Sequence, residues 1–483
     1  MRPPWAVVGG VVGIAAVVAV GGATRPASTS ARSASALSRP VGEVQLVCPG
    51  GDGSSAAPVQ ISAVDAGRLL DPTRSPGVRV TTSPLVVAGA PAGSSAVLSL
   101  APAATSTVPA RLLPTVVTAV GAGAGNVVAS QHQLMPDGPA RGLISAPCLP
   151  AVTDSWITGA DGRVGHNDVL VLANPGSTDA DVTATAWSVN GRVDLPGLES
   201  LAVPAGHAIE LPVANYAPDD GMVSLHIHAD AGRVAAQVRD VQVSGLTPVG
   251  TDWVPPTSPP SPRLVVGGFE AGPGPRLLLV TNPGRVDATV RLRLLTRDRA
   301  FVPADHPQID VAPGRSAFVD LSTSLGGEDA TAQLTSDRPI VAAGMSQVTA
   351  PGGLPDLAWH PASGPLGGPA VLADNSPELG AGAQLALTAV GSQASVRVVG
   401  VSGRSNTVEV AADRTTVVDL RTLLGADGSG PVAIVPVSGE LWASRSIQAN
   451  GAHGPLVTAL VPSGLSPPIR LPVVQEDLRV GLR

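Results

Sequence analysis

The chain has 483 residues, a formal net charge of −7 at pH 7 and only 2% aromatic residues. Its length exceeds what a single hydrophobic core supports and predicts three or four domains. This weakly acidic charge, spread over the length, argues against a dedicated nucleic-acid-binding protein, which would need a clustered basic face. Glycine (56) and proline (48) are abundant beside regular apolar patterns, which indicates many turns between short strands rather than disorder.

The first predicted element is an uncharged apolar segment, Trp5–Ala23. A helix of this length is about 28 Å long, close to the hydrocarbon thickness of a bilayer. It predicts a membrane anchor or a signal peptide over residues 1–23, and both alternatives stay open because small residues at its end suit cleavage. In either case the following residues would lie outside the cytoplasm, with 24–41 as a flexible spacer.

Two cysteines, Cys48 and Cys148, follow the spacer. In an oxidising compartment an even pair most simply forms one disulfide. Neither cysteine has another Cys or His at ligand spacing, which argues against a metal site. We therefore predict a Cys48–Cys148 disulfide that holds a degenerate first β-sandwich copy, residues 42–150.

The clearest pattern is an internal repeat with an offset of 108 residues. A strand ends at an Asn-Pro-Gly sequence, and a second turn ends in glycine 32 positions after the asparagine; the two examples are Asn174 to Gly206 and Asn282 to Gly314. Proline stops a strand because it lacks the backbone donor. The glycines predict positive-φ corners, and we expect each asparagine to cap its own turn rather than bind a ligand.

The repeat predicts an all-β fold of tandem immunoglobulin-like β-sandwich repeats after an N-terminal transmembrane or signal helix, since each copy has about seven short strands. A β-propeller with half a repeat per blade is the rival architecture, which the single Asn-Pro-Gly per repeat disfavours. In the drifted fourth copy Asp413 takes the position of Gly206. The predicted boundaries are 42–150 for copy 1, 151–248 for copy 2, 249–262 for a proline-rich linker, 263–350 for copy 3, 351–369 for a second linker, 370–463 for copy 4 and 464–483 for a tail.

Two groups of residues could face a ligand. Arg291 and Arg293 share one face of a predicted strand and could bind acidic glycans or lipid head groups, although such a row is more often a solvated face. Trp156, Trp253 and Trp359 stand near the starts of successive copies. An exposed tryptophan such as Trp156 could stack on a sugar, while filling the junctions between neighbouring domains is the favoured interpretation.

His226, His228 and Asp230 alternate along another predicted strand and would line one of its faces. A metal ion would need a further ligand from a neighbouring strand, and the sequence nominates none, so we expect a polar outward face and no metal site. The G-x-S-x-G, P-loop, H-E-x-x-H and C-x-x-C motifs are absent. We therefore predict a protein that is not an enzyme and has no catalytic residues and no cofactor.

In chain order, the anchor segment, Cys48, Cys148, Trp156–Gly159, the Asn-Pro-Gly ending at Asn174 and the turn at Gly206 resemble an actinobacterial exported family, the domain of unknown function 5719 family. The likeness covers nearly the whole chain. It implies an exported location and this fold, and it carries no catalytic or binding residues. A link with envelope assembly is a further expectation from the resemblance.

The expected function is that of a non-catalytic, membrane-tethered, extracytoplasmic structural or interaction protein of the bacterial cell envelope. Its partners would be the membrane, through the N-terminal helix, and envelope proteins or cell-wall glycan, but not nucleic acid. The expected location is the cell membrane, with a single pass and the C-terminal domains outside, or the medium if the N-terminal segment is cleaved. A glycan-binding surface module is the alternative function, and an envelope hydrolase is the second alternative.

Overall fold

The computed structural model describes residues 38–51, 57–74, 77–90, 93–100, 103–108, 113–375, 382–467 and 469–470. The predicted anchor Trp5–Ala23, nearly all of the spacer and most of the tail lie outside these residues. Among the described residues, no helix is long and apolar enough to cross a membrane. One small unit contains strand β1 (Ser38–Arg39), which pairs antiparallel with Ile469–Arg470. The large unit spans Pro40–Pro467 and is mostly β-structure, as predicted, with only short helices.

In its described residues, copy 1 has eight strands and one short helix. They are β2 (Glu43–Cys48), β3 (Val59–Asp65), α1 (Ala66–Leu70), β4 (Arg79–Pro84), β5 (Ala96–Leu98), β6 (Ala103–Val108), β7 (Thr115–Val120), β8 (Val127–Met135) and β9 (Gly142–Pro147). They form two antiparallel sheets with the strand orders β2-β7-β4-β5 and β6-β3-β8-β9. The predicted disulfide is present between Cys48, at the end of β2, and Cys148, just after β9. It therefore links the two sheets.

Copy 2 has nine strands. They are β10 (Asp154–Asp161), β11 (Val169–Ala173), β12 (Ala180–Ser188), β13 (Gly191–Val193), β14 (Leu201–Val203), β15 (Ala208–Pro212), β16 (Met222–Ala231), β17 (Ala235–Ser244) and β18 (Thr247–Val254). One sheet has the order β10-β16-β12-β13, with β14 also on β12, and the other has the order β15-β11-β17-β18. Apolar side chains from both sheets, such as Leu172 and Ile227, form one buried core between them.

Copy 3 follows the same plan with a longer strand. Its elements are β19 (Ser261–Phe269), β20 (Arg276–Asn282), β21 (Ala288–Leu295), β22 (Ala300–Phe301), β23 (Ile309–Val311), β24 (Arg315–Asp320), α2 (Ser322–Leu325), β25 (Ala330–Val348) and β26 (Asp356–Ser363). Strand β25 has 19 residues and pairs with β21 at its start and with β20 and β26 at its end. The two layers are consequently joined in one eight-stranded sheet.

Copy 4 contains β27 (Ala370–Leu372), β28 (Ala383–Ala389), β29 (Ala394–Gly400), β30 (Ser405–Val410), β31 (Arg414–Asp419), α3 (Leu420–Leu424), β32 (Val432–Ser438), β33 (Leu441–Gly451), β34 (Gly454–Leu460) and β35 (Ser463–Gly464). Its sheets have the orders β30-β29-β32-β27-β35 and β31-β28-β33-β34. Leucine and valine side chains, among them Leu385 and Val398, fill the core between the sheets.

One sheet of every copy has the same strand order, and we call these four the inner sheets. They are β6-β3-β8-β9, β15-β11-β17-β18, β24-β20-β25-β26 and β31-β28-β33-β34. The last strand of each ends this four-strand order, and β26 alone pairs further, with β19. Strand β9 packs against β18 and β34, and β26 packs against the same two strands. The four copies therefore surround a common centre formed by their last strands, and copy 4 closes against copy 1.

Two buried aspartates join the copies at this centre. Asp356 of copy 3 accepts backbone N–H bonds from Leu143 of copy 1 (3.1 Å), Thr251 of copy 2 (3.2 Å) and Val457 of copy 4 (2.9 Å). Burial raises the pKa of Asp356 to about 7. One carboxylate thus satisfies donors from all three other copies, which would otherwise be buried without partners.

Asp252 of copy 2 makes the complementary set of contacts. It accepts from the backbone N–H of Ser145 in copy 1 (3.4 Å), the hydroxyl of Thr458 in copy 4 (3.2 Å) and the backbone N–H of Trp359 in copy 3 (3.1 Å). Burial raises its pKa well above the usual range. Arg141 of copy 1 is also buried here and donates to backbone carbonyls of copies 3 and 4.

The two predicted linkers are wrong, because each contains the last strand of an inner sheet. Strand β18 and the start of β19 occupy residues of the first linker, and β26 occupies the second. Most of the prolines that suggested open chain flank these strands, and two of them, Pro262 in β19 and Pro361 in β26, lie inside a strand. Between β18 and β19, Thr257 is buried, and its hydroxyl donates to the carbonyls of Ala342 (2.8 Å) and Ala362 (3.1 Å). The segment is therefore packed and is not a spacer.

The asparagine of the repeated turn caps it as predicted. Asn174 Nδ2 donates to the carbonyls of Thr178 and Val203, while its Oδ1 accepts the N–H of Gly176 at 2.9 Å. Asn282 makes the same three types of contact, and its Oδ1 also accepts a glycine N–H at 2.9 Å. The two turns thus share these three contacts, and Asn282 Nδ2 makes a further, longer one to the carbonyl of Ala312 at 3.4 Å.

The prediction of positive φ holds for the second glycine of each repeat and is wrong for the first. Gly206 and Gly314 have φ of 71° and 63°, whereas Gly176 and Gly284 are not in this region. A Cβ on Gly176 would lie 3.0 Å from Asn174 Oδ1. Close approach to the capping asparagine, and not the backbone dihedral, therefore favours glycine there.

Copy 4 keeps the second corner with a different residue. Asp413, which the sequence aligns with Gly206, has φ of 54° and is the one non-glycine residue of positive φ among the described residues. Its Oδ1 accepts the N–H of Gly391 at 2.8 Å. A short polar side chain tolerates this conformation because it can bond to nearby backbone.

Trp253 and Trp359 fill junctions between copies, as the favoured interpretation predicts, whereas the third tryptophan, Trp156, lies on an outward sheet face. Trp253 packs with Ile144 of copy 1 and Val241 of copy 2. Trp359 enters the core of copy 2, where its ring lies so close to Gly159 that a Cβ there would be 2.3 Å away. Both indoles are almost completely buried.

Candidate functional site

The outward face of the first sheet of copy 2 carries an unusual set of side chains. In the register of β10 and β16, Trp156 stands opposite His226 and Asp154 opposite His228. Trp187 of β12 lies one row further, opposite Ser224 of β16. We call the set formed by Asp154, Trp156, Trp187, His226 and His228 the aromatic–histidine face. Its members share one side of the sheet because side chains two apart point the same way.

Trp156 is the centre of a stack on this face. Its ring lies 4.3 Å from the ring of His226 and 5.3 Å from that of Trp187, with interplanar angles of 12° and 18°. Parallel stacking of this kind uses the flat surfaces of the rings. Trp156 is half-buried, whereas Trp187 is nearly covered and lies near Gly314 of copy 3.

Asp154 supplies the neighbouring-strand partner that the sequence did not nominate for the histidines. Its Oδ1 lies 3.1 Å from His226 Nε2 and 2.8 Å from His228 Nδ1. The hydrogen bond from His228 lowers the pKa of Asp154, and the same bond raises the pKa of His228. The predicted outward polar face is thus present, and its carboxylate is already bonded to both imidazoles. Asp230, at 3.6 Å from His228 Nε2, lies at the edge of the group.

A second group lies beneath the loop that joins β10 to β11, and we call it the buried acidic cluster. Its members are Asp161 at the end of β10, His166 in the loop, Asp168 just before β11 and Asp240 in β17. The three aspartates are at most 2% exposed. The N–H of Asp161 donates to Asp168 Oδ2 at 2.7 Å, which fixes the orientation of the Asp168 side chain.

Three atoms of this cluster face one another without hydrogen-bond partners in the protein. They are His166 Nδ1, Asp168 Oδ1 and Asp240 Oδ1. His166 Nδ1 is 4.0 Å from Asp168 Oδ1 and 3.9 Å from Asp240 Oδ1, which is too far for hydrogen bonds. Leaving a buried polar atom unpaired costs about 1–3 kcal/mol, and more for a charged group. By contrast, the buried carboxylates of Asp252 and Asp356 each accept several hydrogen bonds.

The second oxygen of Asp240 connects the cluster to the junction with copy 3. Asp240 Oδ2 accepts the indole N–H of Trp359 and the amide of Gln242, both at 2.8 Å. Burial, and then the charge of Asp240, raises the pKa of Asp168 well above its usual range. Burial lowers the pKa of His166, but the surrounding carboxylates outweigh it and the net shift is upward.

The sequence analysis missed this cluster, although three of its members are close together in the chain. Asp161, His166 and Asp168 stand within eight residues, a spacing that could have suggested a polar loop. Asp240 comes from a strand more than seventy residues later, and only the pairing of β11 with β17 brings it close. Within β17, Asp240 stands among other polar residues, including Arg239 and Gln242, so the strand carries no distinctive local signal.

The arginine row on β21 is arranged as predicted, but one of its members is engaged. Arg291 is exposed, and Arg293 points to the same face. Arg293 donates to Gln333 (3.0 Å) and to Asp413 of copy 4 (3.1 Å). The partner of Arg293 is therefore a residue of the next copy, and the sequence neighbours Asp287 and Asp298 do not pair with it.

One group in copy 3 has the residue types of a hydrolytic triad. Ser346, His360 and Glu270 are all buried, and both the serine hydroxyl (2.7 Å) and the glutamate (3.4 Å) approach Nε2 of the histidine. A triad requires the acid and the nucleophile on opposite ring nitrogens. This group does not have that arrangement.

The chain matches a family described as "Family of unknown function (DUF5719)" over residues 97–421, which is more than half of its length. No curated protein matches the chain. The resemblance noted in the sequence is therefore confirmed at the level of the family.

Similarity to solved structures is weak. The crystal structure of Thermotoga maritima 1070 is 16% identical, covers 22% of this chain and 94% of that chain, and has a TM-score of 0.19. The BSP domain of a biofilm associated protein is 8% identical over 88% of this chain and 96% of that chain, with a TM-score of 0.14. A tetra-tandem repeat from the extending region of a large adhesion protein is 11% identical over 87% and 99%, with a TM-score of 0.09. TM-scores this low carry no argument about fold or function.

Proposed function

The chain belongs to the DUF5719 family, whose function is unknown, and we propose that it acts as a non-catalytic structural or interaction protein of the bacterial cell envelope. The observation that carries this proposal is the common centre. Asp252 and Asp356 each bond to all three other copies there. Four copies fixed in this way form a rigid support whose outer sheet faces are free to meet partners.

We further propose an extracytoplasmic location with a membrane tether. The Cys48–Cys148 disulfide supports it, since disulfides persist in oxidising compartments and are rare in the cytosol. The uncharged segment Trp5–Ala23 supports the tether. Protease added to intact spheroplasts should digest the protein at its extracytoplasmic part. Protection until the cells are lysed would contradict the location.

Each copy is proposed to be a variant of the immunoglobulin-like sandwich. In copy 2 we assign β10 as strand A, β11 as B, β12 as C, β15 as E, β16 as F and β17 as G. The pairs B–E (β11 with β15) and C–F (β12 with β16) are then those of the immunoglobulin sheets. Strand β10 pairs with F, and β17 pairs with B, so A and G have exchanged sheets. An experimental structure in which copies 1, 3 and 4 lacked the B–E and C–F pairs would overturn this assignment.

The aromatic–histidine face is the proposed contact surface for an envelope protein. It combines aromatic rings with hydrogen-bonding groups, as protein interfaces commonly do. A photo-crosslinking amino acid at His228 should capture an envelope protein in living cells, and the same group at the exposed Glu409 of copy 4 should not. Equal capture at both positions, or capture at neither, would reject this surface.

A glycan ligand is the alternative for the same face. Trp156 could stack on a sugar ring, but its contacts with His226 and Trp187 already use ring surface, and for this reason we favour a protein partner. A pull-down with purified cell-wall polysaccharide distinguishes a glycan ligand from a protein partner. Retention of the wild type at low salt, lost in Trp156→Ala, would support the glycan; no retention would exclude it.

A further inference from the structure

We propose that the buried acidic cluster of copy 2 binds one divalent transition-metal ion, such as Mn²⁺ or Zn²⁺, through His166 Nδ1, Asp168 Oδ1 and Asp240 Oδ1. The site is distinct from the aromatic–histidine face and does not rest on the proposed envelope function. No comparison assigns a metal to this chain.

The separations of the three atoms suit a shared ion. One ligand atom from each residue lies within 4.8 Å of the others, and the two distances from His166 Nδ1 are 3.9 and 4.0 Å. Ligands about 2.1 Å from a metal stand roughly 3 Å apart when adjacent and about 4.2 Å apart when opposite. His166 Nδ1 is thus too far from either oxygen for a hydrogen bond, and a small movement of the loop that carries His166 would bring all three atoms within reach of one ion.

The charges around the cluster are balanced only in part. Asp161 pairs with Arg163 through the guanidinium, at 2.7 Å. Within the described residues, no arginine lies within 4 Å of the carboxylates of Asp168 or Asp240. The buried carboxylates of Asp168 and Asp240 therefore have one nearby side chain that can carry a positive charge, His166. A divalent cation supplies the charge that these two carboxylates need.

The donor types narrow the choice of ion. Two carboxylate oxygens and one imidazole nitrogen form a mixed hard and borderline set, which suits Mn²⁺ or Zn²⁺ better than the all-oxygen preference of Ca²⁺ or Mg²⁺. The remaining contacts act as supports. The N–H of Asp161 orients Asp168, and the groups of Trp359 and Gln242 orient Asp240 through its other oxygen.

The ion would fasten the loop between β10 and β11 to the inner sheet of copy 2. His166 belongs to that loop and is partly exposed, while Asp240 belongs to β17 and also bonds to Trp359 of copy 3. One bound ion would therefore join a surface loop to the junction between two copies. Its removal should loosen the loop and leave the centre of the molecule in place.

The exposed group of Asp154, His226 and His228 is the competing site for any added metal. Its ligand atoms already hydrogen-bond to one another. Variants that remove ligands from one site at a time distinguish metal binding at the two sites. His166→Gln and Asp168→Asn remove ligands of the buried cluster, and His228→Gln removes one from the exposed group.

The test uses the full chain, stripped of metal with EDTA and titrated calorimetrically with MnCl₂ and with ZnCl₂. We expect one ion per chain at the buried cluster, with an affinity that falls at least about tenfold in His166→Gln and in Asp168→Asn. Asp194→Asn, an exposed aspartate of the same copy, is the matched control and should bind as the wild type does. The ion should also raise the melting temperature of the wild type but not of His166→Gln.

Three outcomes would overturn the proposal. The first is no binding by the wild type at about 1 mM metal, which would mean that the two carboxylates share a proton instead. The second is binding that survives in His166→Gln and Asp168→Asn. The third is binding that is lost in His228→Gln alone. If Asp168→Asn does not fold, His166→Gln decides the matter, since its side chain lies in a loop and is partly exposed.

Discussion

The common centre and the aromatic–histidine face each contain an aspartate that joins strands, but the first aspartate is buried and the second is exposed. At the centre, Asp356 is fully buried and accepts backbone donors from three other copies. On the face, the Asp154 side chain is 51% exposed and meets two imidazoles of its own copy. Both aspartates join neighbouring strands, but only the first joins copies.

The difference shows how burial decides the role of a carboxylate. In the centre, each donor that loses its acceptor stays away from water and costs about 1–3 kcal/mol. On the face, water replaces a lost partner, and an exposed ion pair contributes below about 1 kcal/mol. The centre therefore holds the architecture, and the face is free to change without unfolding the protein.

Replacing the central carboxylate should have the largest effect. Asp356→Ala leaves three buried backbone N–H groups without an acceptor, so the free energy of unfolding should fall by about 3–5 kcal/mol. Urea titration measures this loss. Asp154→Ala is the comparison on the face and should cost below about 1 kcal/mol. Equal losses in the two variants would remove the distinction between the two regions.

The central carboxylate should also make the stability of the protein depend on pH. The pKa of Asp356 rises from 3.8 to about 7 in the folded protein, so between these values only the folded state holds its proton. Stability should therefore fall as pH rises from about 4 to 7, by at most on the order of 4 kcal/mol from this group. Asp252 shifts in the same direction. Urea titrations at several pH values should show a flatter profile for Asp356→Asn, and an unchanged profile would contradict the assignment.

The capping asparagines test whether the two clearest copies are equivalent. Asn174→Ala and Asn282→Ala each remove three hydrogen bonds of the same kind, and each should lower the free energy of unfolding by about 1–3 kcal/mol. The exposed Asn190→Ala is the control, with an expected change within about 0.5 kcal/mol. A marked difference between Asn174→Ala and Asn282→Ala would mean that the turn contributes unequally to the stability of copies 2 and 3.

The smallest expected effect is at the contact between copies 3 and 4. The Arg293–Asp413 ion pair joins side chains that are 39% and 30% exposed, so Arg293→Ala should change the free energy of unfolding by below about 1 kcal/mol. The effect should also shrink in high salt. A loss as large as that of Asp356→Ala would show that the copies are held together at their periphery instead of at the centre.

Local chemistry explains which parts of the fold the sequence predicts. The disulfide, the capping of Asn174 and the corner at Asp413 each depend on residue types and spacings within one copy. These residue types persist in copies whose sequences have diverged, because the turn conformations require them. The strand β26 was missed because the prolines and glycines on both sides of it resemble a linker when its neighbours are unknown.

The centre and the candidate sites could not be predicted because they depend on distant pairings. Asp356 meets Leu143 across 213 residues, and Asp154 meets His226 across 72. Nothing near Asp240 in the chain indicates that His166 will face it. A repeat detected from spacing describes each copy well and says little about how the copies close on one another.

Closure of the four copies around one centre is the central claim, and small-angle X-ray scattering from residues 40–467 tests it most directly. A compact unit of 428 residues should have a radius of gyration of about 22 Å. Four separate sandwiches in a line would instead give roughly 40 Å. A value near 22 Å is the predicted result, and a value near 40 Å would contradict the common centre.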